Sequence, residues 1–245
     1  MDRWCVFSLL SALALMVPVQ AATAQSTSGV TSPAVRLNDR QSELRISIDP
    51  GGDSGETRTS LRLHYQQAFG DRFRLRGVVT GSDSGPGRFD LTQTTIQSIW
   101  QFAKKDEEGI DSALRFDYVL SNGDDVPDGV RLGWTADWPL SKNWKFRTVA
   151  FGTAQVGNNR QSGVFLETRA AFIRKFGKGH ALLLQSFNQY GFTSGFGDFD
   201  EQNHTVGPAI NFNISDRWAL QASALFGVSG AATDTTIRTF IGYRF

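Results

Sequence analysis

Thr236-Ile237-Arg238-Thr239-Phe240-Ile241-Gly242-Tyr243-Arg244-Phe245 is the stretch whose reading decides the fold. Ile237, Thr239, Ile241, Tyr243 and Phe245 share one parity, and Arg238, Gly242 and Arg244 share the other. Side chains alternate across a strand, so this period of two makes one apolar face and one polar face. The stretch is a strand that stops on an aromatic residue.

Upstream of it a short turn recurs. Phe69-Gly70-Asp71-Arg72-Phe73, Leu140-Ser141-Lys142-Asn143-Trp144, Phe176-Gly177-Lys178-Gly179-His180 and Ile214-Ser215-Asp216-Arg217-Trp218 each set turn formers between an apolar residue and, usually, an aromatic one. The starts repeat every 36 residues or so, with one more expected near residue 105, where Lys104-Lys105-Asp106-Glu107-Glu108-Gly109 is a more polar turn. About 36 residues accommodates two strands with one tight and one loose connection. Longer polar loops lie between the tight turns, at 49–56, 82–88, 121–128, 157–162, 190–203 and 227–235. Strands are expected at 42–49, 59–68, 72–81, 89–102, 112–120, 129–138, 144–155, 163–175, 180–189, 205–213, 217–227 and 236–245.

The ending Tyr243-Arg244-Phe245 resembles the C-terminal strand of bacterial outer-membrane β-barrels, where an aromatic last residue is part of the assembly signal. That resemblance implies an all-β, transmembrane, antiparallel up-and-down barrel of a Gram-negative bacterium. Twelve strands are expected, or ten if the first hairpin lies outside the barrel. Tight turns on one rim and long loops on the other match the periplasmic and extracellular ends of such barrels, and an even count puts both termini in the periplasm. Thr236 to Phe245 would then engage the barrel-assembly machinery, and the outer surface would meet the lipid bilayer and lipopolysaccharide. Phe69, Phe73, Trp138, Trp144, Phe176, Trp218, Tyr243 and Phe245, gathered at the tight turns, are expected to form an aromatic girdle at headgroup depth.

The other end of the sequence agrees. Trp4 to Val17 is nearly all apolar, and Ala22-Thr23-Ala24 precedes Gln25. Residues 1–24 read as a secretory signal peptide, too short in its apolar run to span a bilayer as a helix. The single cysteine, Cys5, would leave with it, so no disulfide or cysteine metal site is expected in the remainder of about 220 residues. Residues 25–41, rich in Ser and Thr, are expected to be a flexible periplasmic segment, followed by a barrel over 42–245. A net charge of +1 offers no footprint for nucleic acid, and barrel strands hide their hydrophobicity in alternation.

Parity sorts the two faces. Leu61, Leu63 and Tyr65, then Leu114, Phe116, Tyr118 and Leu120, then Val130, Leu132, Trp134 and Trp138 face lipid. Their neighbours include Arg62, His64, Arg74, Arg76, Arg115, Asp117 and Arg131. An arginine on the lipid face near the midplane costs about 2–4 kcal/mol, so these residues are expected to line the lumen. Arg45, Arg147, Glu167, Arg169 and Arg238 join them. Strands 89–102, 144–155 and 180–189 have mixed parity and do not orient themselves. Two readings of this lumen stay open. Pairs such as Arg115 with Asp117 and Arg169 with Glu167 could brace a filled barrel. Alternatively, rings of one charge sign select ions, and arginine forks hold carboxylates and phosphates. Arg62, Arg74 and Arg76 are the best candidates for an uncompensated basic patch.

The expected function is therefore a porin-like channel for passive passage of small, preferentially anionic solutes. This is similar in kind to small twelve-stranded channels for acidic oligosaccharides. The alternative is a non-conducting structural or adhesive barrel that acts through its loops, with Phe192, Phe196 and Phe199 as a recognition element or an inward constriction. A hydrolase is less favoured. No Gly-x-Ser-x-Gly motif occurs, and His204 has no serine at a recognisable spacing. The acids Asp124, Asp125, Asp128, Asp198, Asp200 and Glu201 read as solvated loop surface, and no catalytic residue, cofactor or metal is expected.

Overall fold

The computed structural model describes residues 26–51, 55–85, 88–123 and 126–245. The expected signal peptide, residues 1–24, and the acids Asp124 and Asp125 lie outside the described residues. In chain order the strands are β1 (Arg40–Asp49), β2 (Arg58–Phe69), β3 (Phe73–Gly85), β4 (Arg88–Ala103), β5 (Asp111–Ser121), β6 (Asp128–Pro139), β7 (Trp144–Val156), β8 (Val164–Phe176), β9 (His180–Phe192), β10 (Gly195–Phe196), β11 (Asn203–Asn213), β12 (Trp218–Gly227) and β13 (Thr235–Arg244). A short helix, α1 (Lys105–Glu108), occupies the polar turn after β4. β10 is a two-residue extension folded back on β9. The other twelve strands form one closed antiparallel ring.

Closure rests on β1. Its Leu44 is opposite Leu63 of β2 on one side and Ile241 of β13 on the other. The terminal strand that decided the fold is thus the one that seals it, and each of the twelve barrel strands is paired on both sides. Ile237 is half exposed on the outside, while Arg238 is 1% exposed on the inside. Trp138, Trp144, Phe176, Trp218 and Phe245 are all exposed around the tight-turn rim, joined there by Trp100 and Phe102 at the end of β4. Tyr243 packs against both Trp218 and Phe245, which fastens the last strand to its neighbour at that rim.

The three strands of mixed parity have two causes. In β4 the pairing with β3 slips between Thr80 and Gly81. Phe89 and Leu91 face outward above the slip, and Ile96, Trp100 and Phe102 do so below it. A bulge flips the face, so a strict alternation misreads the strand. β7 contains no slip against either neighbour. Its Val149 and Phe151, with Leu183 and Phe187 of β9, point inward and pack as an apolar cluster around Val30.

Val30 belongs to the segment that the sequence reading placed in the periplasm. Residues 26–35 are instead inside the barrel, where Thr27 and Ser28 are almost fully buried. The segment enters beside the start of β1 at the tight-turn rim, where the Val35 amide donates to Gln101 Oε1 at 2.7 Å. It climbs toward the long-loop rim, where the Ser26 and Ser47 hydroxyls meet at 2.9 Å. The expectation of a flexible segment is thereby corrected. A Ser/Thr-rich stretch has too little apolar surface to fold alone, yet here it fills a polar lumen that supplies donors for its backbone.

Candidate functional site: an arginine-lined lumen

An extended segment inside a barrel has no ladder partner, so its backbone carbonyls must find donors elsewhere. Arginines provide them. Arg45 donates to the Thr27 carbonyl at 3.0 Å, Arg238 to Ser28 at 2.8 Å, Arg169 to Gly29 at 2.9 Å and Arg147 to Val30 at 3.0 Å. Thr135 donates its hydroxyl to the Thr31 carbonyl at 2.9 Å, and Arg115 reaches the Thr31 hydroxyl at 3.3 Å. Arg74 spans the Ser32 and Ala34 carbonyls at 3.2 and 3.4 Å. Successive residues of the segment are met by successive arginines around the wall. Gly29 lets this happen at close range, since a Cβ there would lie 2.8 Å from the Arg45 guanidinium.

Of the twelve residues expected to line the lumen, Arg45 and Arg238 are buried against the N-terminal segment, and the other ten also point inward. Arg74, Arg76, Arg115, Asp117, Glu167, Arg169 and His64 are buried, and Arg62, Arg131 and Arg147 are partly so. The bracing pairs are present. Arg115 binds Asp117 through two hydrogen bonds of 2.7 and 2.6 Å, and Arg131 approaches the same carboxylate at 3.8 Å. Arg169 pairs with Glu167, and Arg147 and Lys145 share Asp137. Arg45 pairs with Glu43 at 2.6 Å. Residues two apart on a strand share a face, which is why these short-range pairs form.

The basic patch also exists. Among the described residues, Arg62, Arg74, Arg76 and Arg238 form no ion pair. Arg76 is held by neutral carboxamides, donating to Gln66 Oε1 at 2.6 and 3.1 Å and to Gln97 Oε1 at 3.4 Å. Arg238 donates to Gln185 Oε1 at 2.7 Å and Ser223 Oγ at 3.0 Å. The Nε groups of Arg62 and Arg74 are buried without an acceptor.

Parity did not find the aromatic floor beneath these cations. Phe151 lies under Arg115, Arg131 and Arg169 at 4.8, 5.4 and 5.0 Å from its centroid. Phe187 and Phe240 do the same for Arg238 at 4.7 and 5.3 Å. A guanidinium over a ring face is attracted by its quadrupole. Nothing in a mixed-parity strand marks an inward phenylalanine, whereas Phe240 shares the parity of Arg238 and faces inward with it.

Two of the three loop phenylalanines are elsewhere. Phe196 and Phe199 are more than half exposed, and Phe199 stacks at 4.8 Å on His204, which faces outward with Asn188. Of the three residues expected to form an inward constriction, Phe192 is on the lumen face at the long-loop rim, edge-on to Phe165 at 5.3 Å, and the other two are not; the lumen itself is filled by the N-terminal segment. His204 sits in a polar cluster on the outer wall. Its Nδ1 meets Asn188 Oδ1 at 3.0 Å, and Asn188 in turn contacts Ser186 Oγ at 3.2 Å. The other ring nitrogen is taken by Gln202 at 2.9 Å. The serine bonds the carboxamide and leaves the imidazole without a hydroxyl partner, so this is not the nucleophile–base contact of a hydrolase.

The profile of the family described as "Putative MetA-pathway of phenol degradation" matches residues 46–245. The chain belongs to this family. No curated protein sequence matches it. In fold, the family member resembles an outer membrane channel from Pseudomonas putida F1, with a TM-score of 0.65 at 10% identity over 86% of this chain and 97% of that one. The KdgM porin gives 0.57 at 10% identity over 84% and 99%, and the NanC porin 0.57 at 6% identity over 84% and 98%.

Proposed function

We propose that the protein is an outer-membrane channel, with both termini periplasmic, for passive passage of small, preferentially anionic solutes. One observation carries this reading: inward arginines exceed their carboxylate partners, and the surplus is satisfied by neutral acceptors. A lumen of one net sign raises the local concentration of counter-ions and excludes co-ions. A related fold has been solved as the KdgM porin in complex with disordered oligogalacturonate, an acidic sugar chain, which agrees with this charge preference. Passage requires residues 26–35 to leave the lumen, since they occupy it.

That occupancy favours a second reading, in which the barrel stays filled and acts through its long loops. Single-channel recording on refolded protein starting at Gln25, and on the same chain lacking residues 26–36, separates the two. Conductance that rises on deletion, with a reversal potential favouring anions, supports the channel. A shortened barrel that refolds and stays silent would establish the loop reading.

A further inference from the structure

We infer that the berth of residues 26–34 is a binding site for an extended polyanionic chain, and that the protein's own N-terminal segment occupies it as an intramolecular stand-in. The inference rests on the channel reading and names the ligand class of that lumen.

The contacts define what the site accepts. Arg45, Arg238, Arg169, Arg147, Arg115 and Arg74 meet oxygen atoms in an order that follows the segment's sequence. Residues Thr27 to Ala34 span at most about 26 Å when extended, so the track is long and narrow. What it recognises is a linear run of oxygen acceptors, with little side-chain content: the segment's own side chains are small. Each present acceptor is neutral. Hydrogen bonds between two ionised partners are shorter and stronger than those to neutral groups. A chain carrying an anionic oxygen on each unit would keep the same contacts and neutralise Arg74 and Arg238, which have no ion pair among the described residues. The unpartnered Nε of Arg74 would gain an acceptor as well.

Valency decides who can displace whom. The segment is tethered at β1, so its local concentration is high, of the millimolar order that short linkers give. A single anion replaces one contact and must compete with a tethered rival at every other rung. A polyanion replaces the rungs in succession, each step intramolecular after the first. The site should therefore respond to a polymer and ignore its monomer.

The only cysteine in the sequence is Cys5, upstream of Gln25, so engineered thiols in the refolded chain are unambiguous. Ser26→Cys places one thiol at a position 5% exposed. Linear polyphosphate is expected to raise its maleimide labelling rate at least tenfold, while orthophosphate at equal phosphorus leaves it unchanged. Ser26→Cys with Ser47→Cys exploits the hydroxyl contact to lock the segment by a disulfide. The oxidised form should lose polyphosphate binding in calorimetry, and reduction should restore it. Equal labelling with and without polymer, or equal binding by locked and reduced protein, overturns the inference. Loss of conductance in the deletion variant removes the channel reading instead, and labelling still decides this one.

Discussion

Each lumen arginine has a different set of partners, and that set predicts what its replacement does. Asp117 is fully buried between Arg115 and Arg131. Removing one member of a buried pair strands the other charge, at about 3–5 kcal/mol. Asp117→Asn should lower stability by about that amount in urea unfolding from phospholipid vesicles. Asp117→Leu combined with Arg115→Met should recover much of the loss, because the tightest pair goes together and Arg131, which is partly exposed, keeps its bond to Thr153. Arg74 and Arg76 lack ion pairs, so their roles are electrostatic more than structural. In the chain lacking residues 26–36, Arg74→Glu with Arg76→Glu should move the reversal potential toward cations. An unchanged potential would take both residues out of the conduction path. Gly133 belongs to this scale too: a Cβ there would collide with the Phe151 ring, so only glycine lets that ring lie flat beneath three guanidiniums.

At the level of elements, β11 carries the tightest constraint. Its pairing with β12 is interrupted between Val206 and Ala209, where Gly207 and Pro208 stand. A Cβ on Gly207 would fall on the Ala224 carbonyl oxygen, which is backbone and cannot rotate away. Pro208 has no N–H to give the ladder, so the neighbouring bonds already carry this joint. Gly207→Ala should halve or worse the refolding yield, read as the heat-modifiable band on a gel. The loop after β9 has the opposite character. Phe199 leans on the outer wall against His204, so deletion of residues 193–200 should leave conductance unchanged. A rise in conductance would return that loop to the lumen.

At the level of the whole molecule, the barrel closes by pairing its first and last strands, and Phe245 stands at that seam. Its amide donates to the Arg40 carbonyl at 3.1 Å, and its ring meets Tyr65 and Tyr243, but 68% of the residue is exposed. Its contribution to the finished fold is small. Deleting Phe245 should therefore leave refolding in vitro intact while lowering the amount inserted in cells; equal insertion would argue against a role in assembly. Much of this architecture was legible without coordinates. Alternation in 236–245, the recurring turn and the arginines opposite outward leucines pointed to an all-β barrel of about twelve strands and, in the strands that alternate cleanly, to which side chains face inward. They did so because lipid tolerates no unpaired backbone and few charges, so sequence and face are tied locally. The contents of the lumen were decided only in three dimensions. Nothing local in Ser26 to Arg36 says that its carbonyls will be met by Arg45, Arg147, Arg169 and Arg238, because those donors come from β1, β7, β8 and β13 and converge only when the ring closes. The same holds for Val149, Phe151 and Phe187, whose inward direction makes sense only once Val30 is there to pack against. Alternation tells a side chain which face it occupies; only closure of the barrel tells it what it will meet.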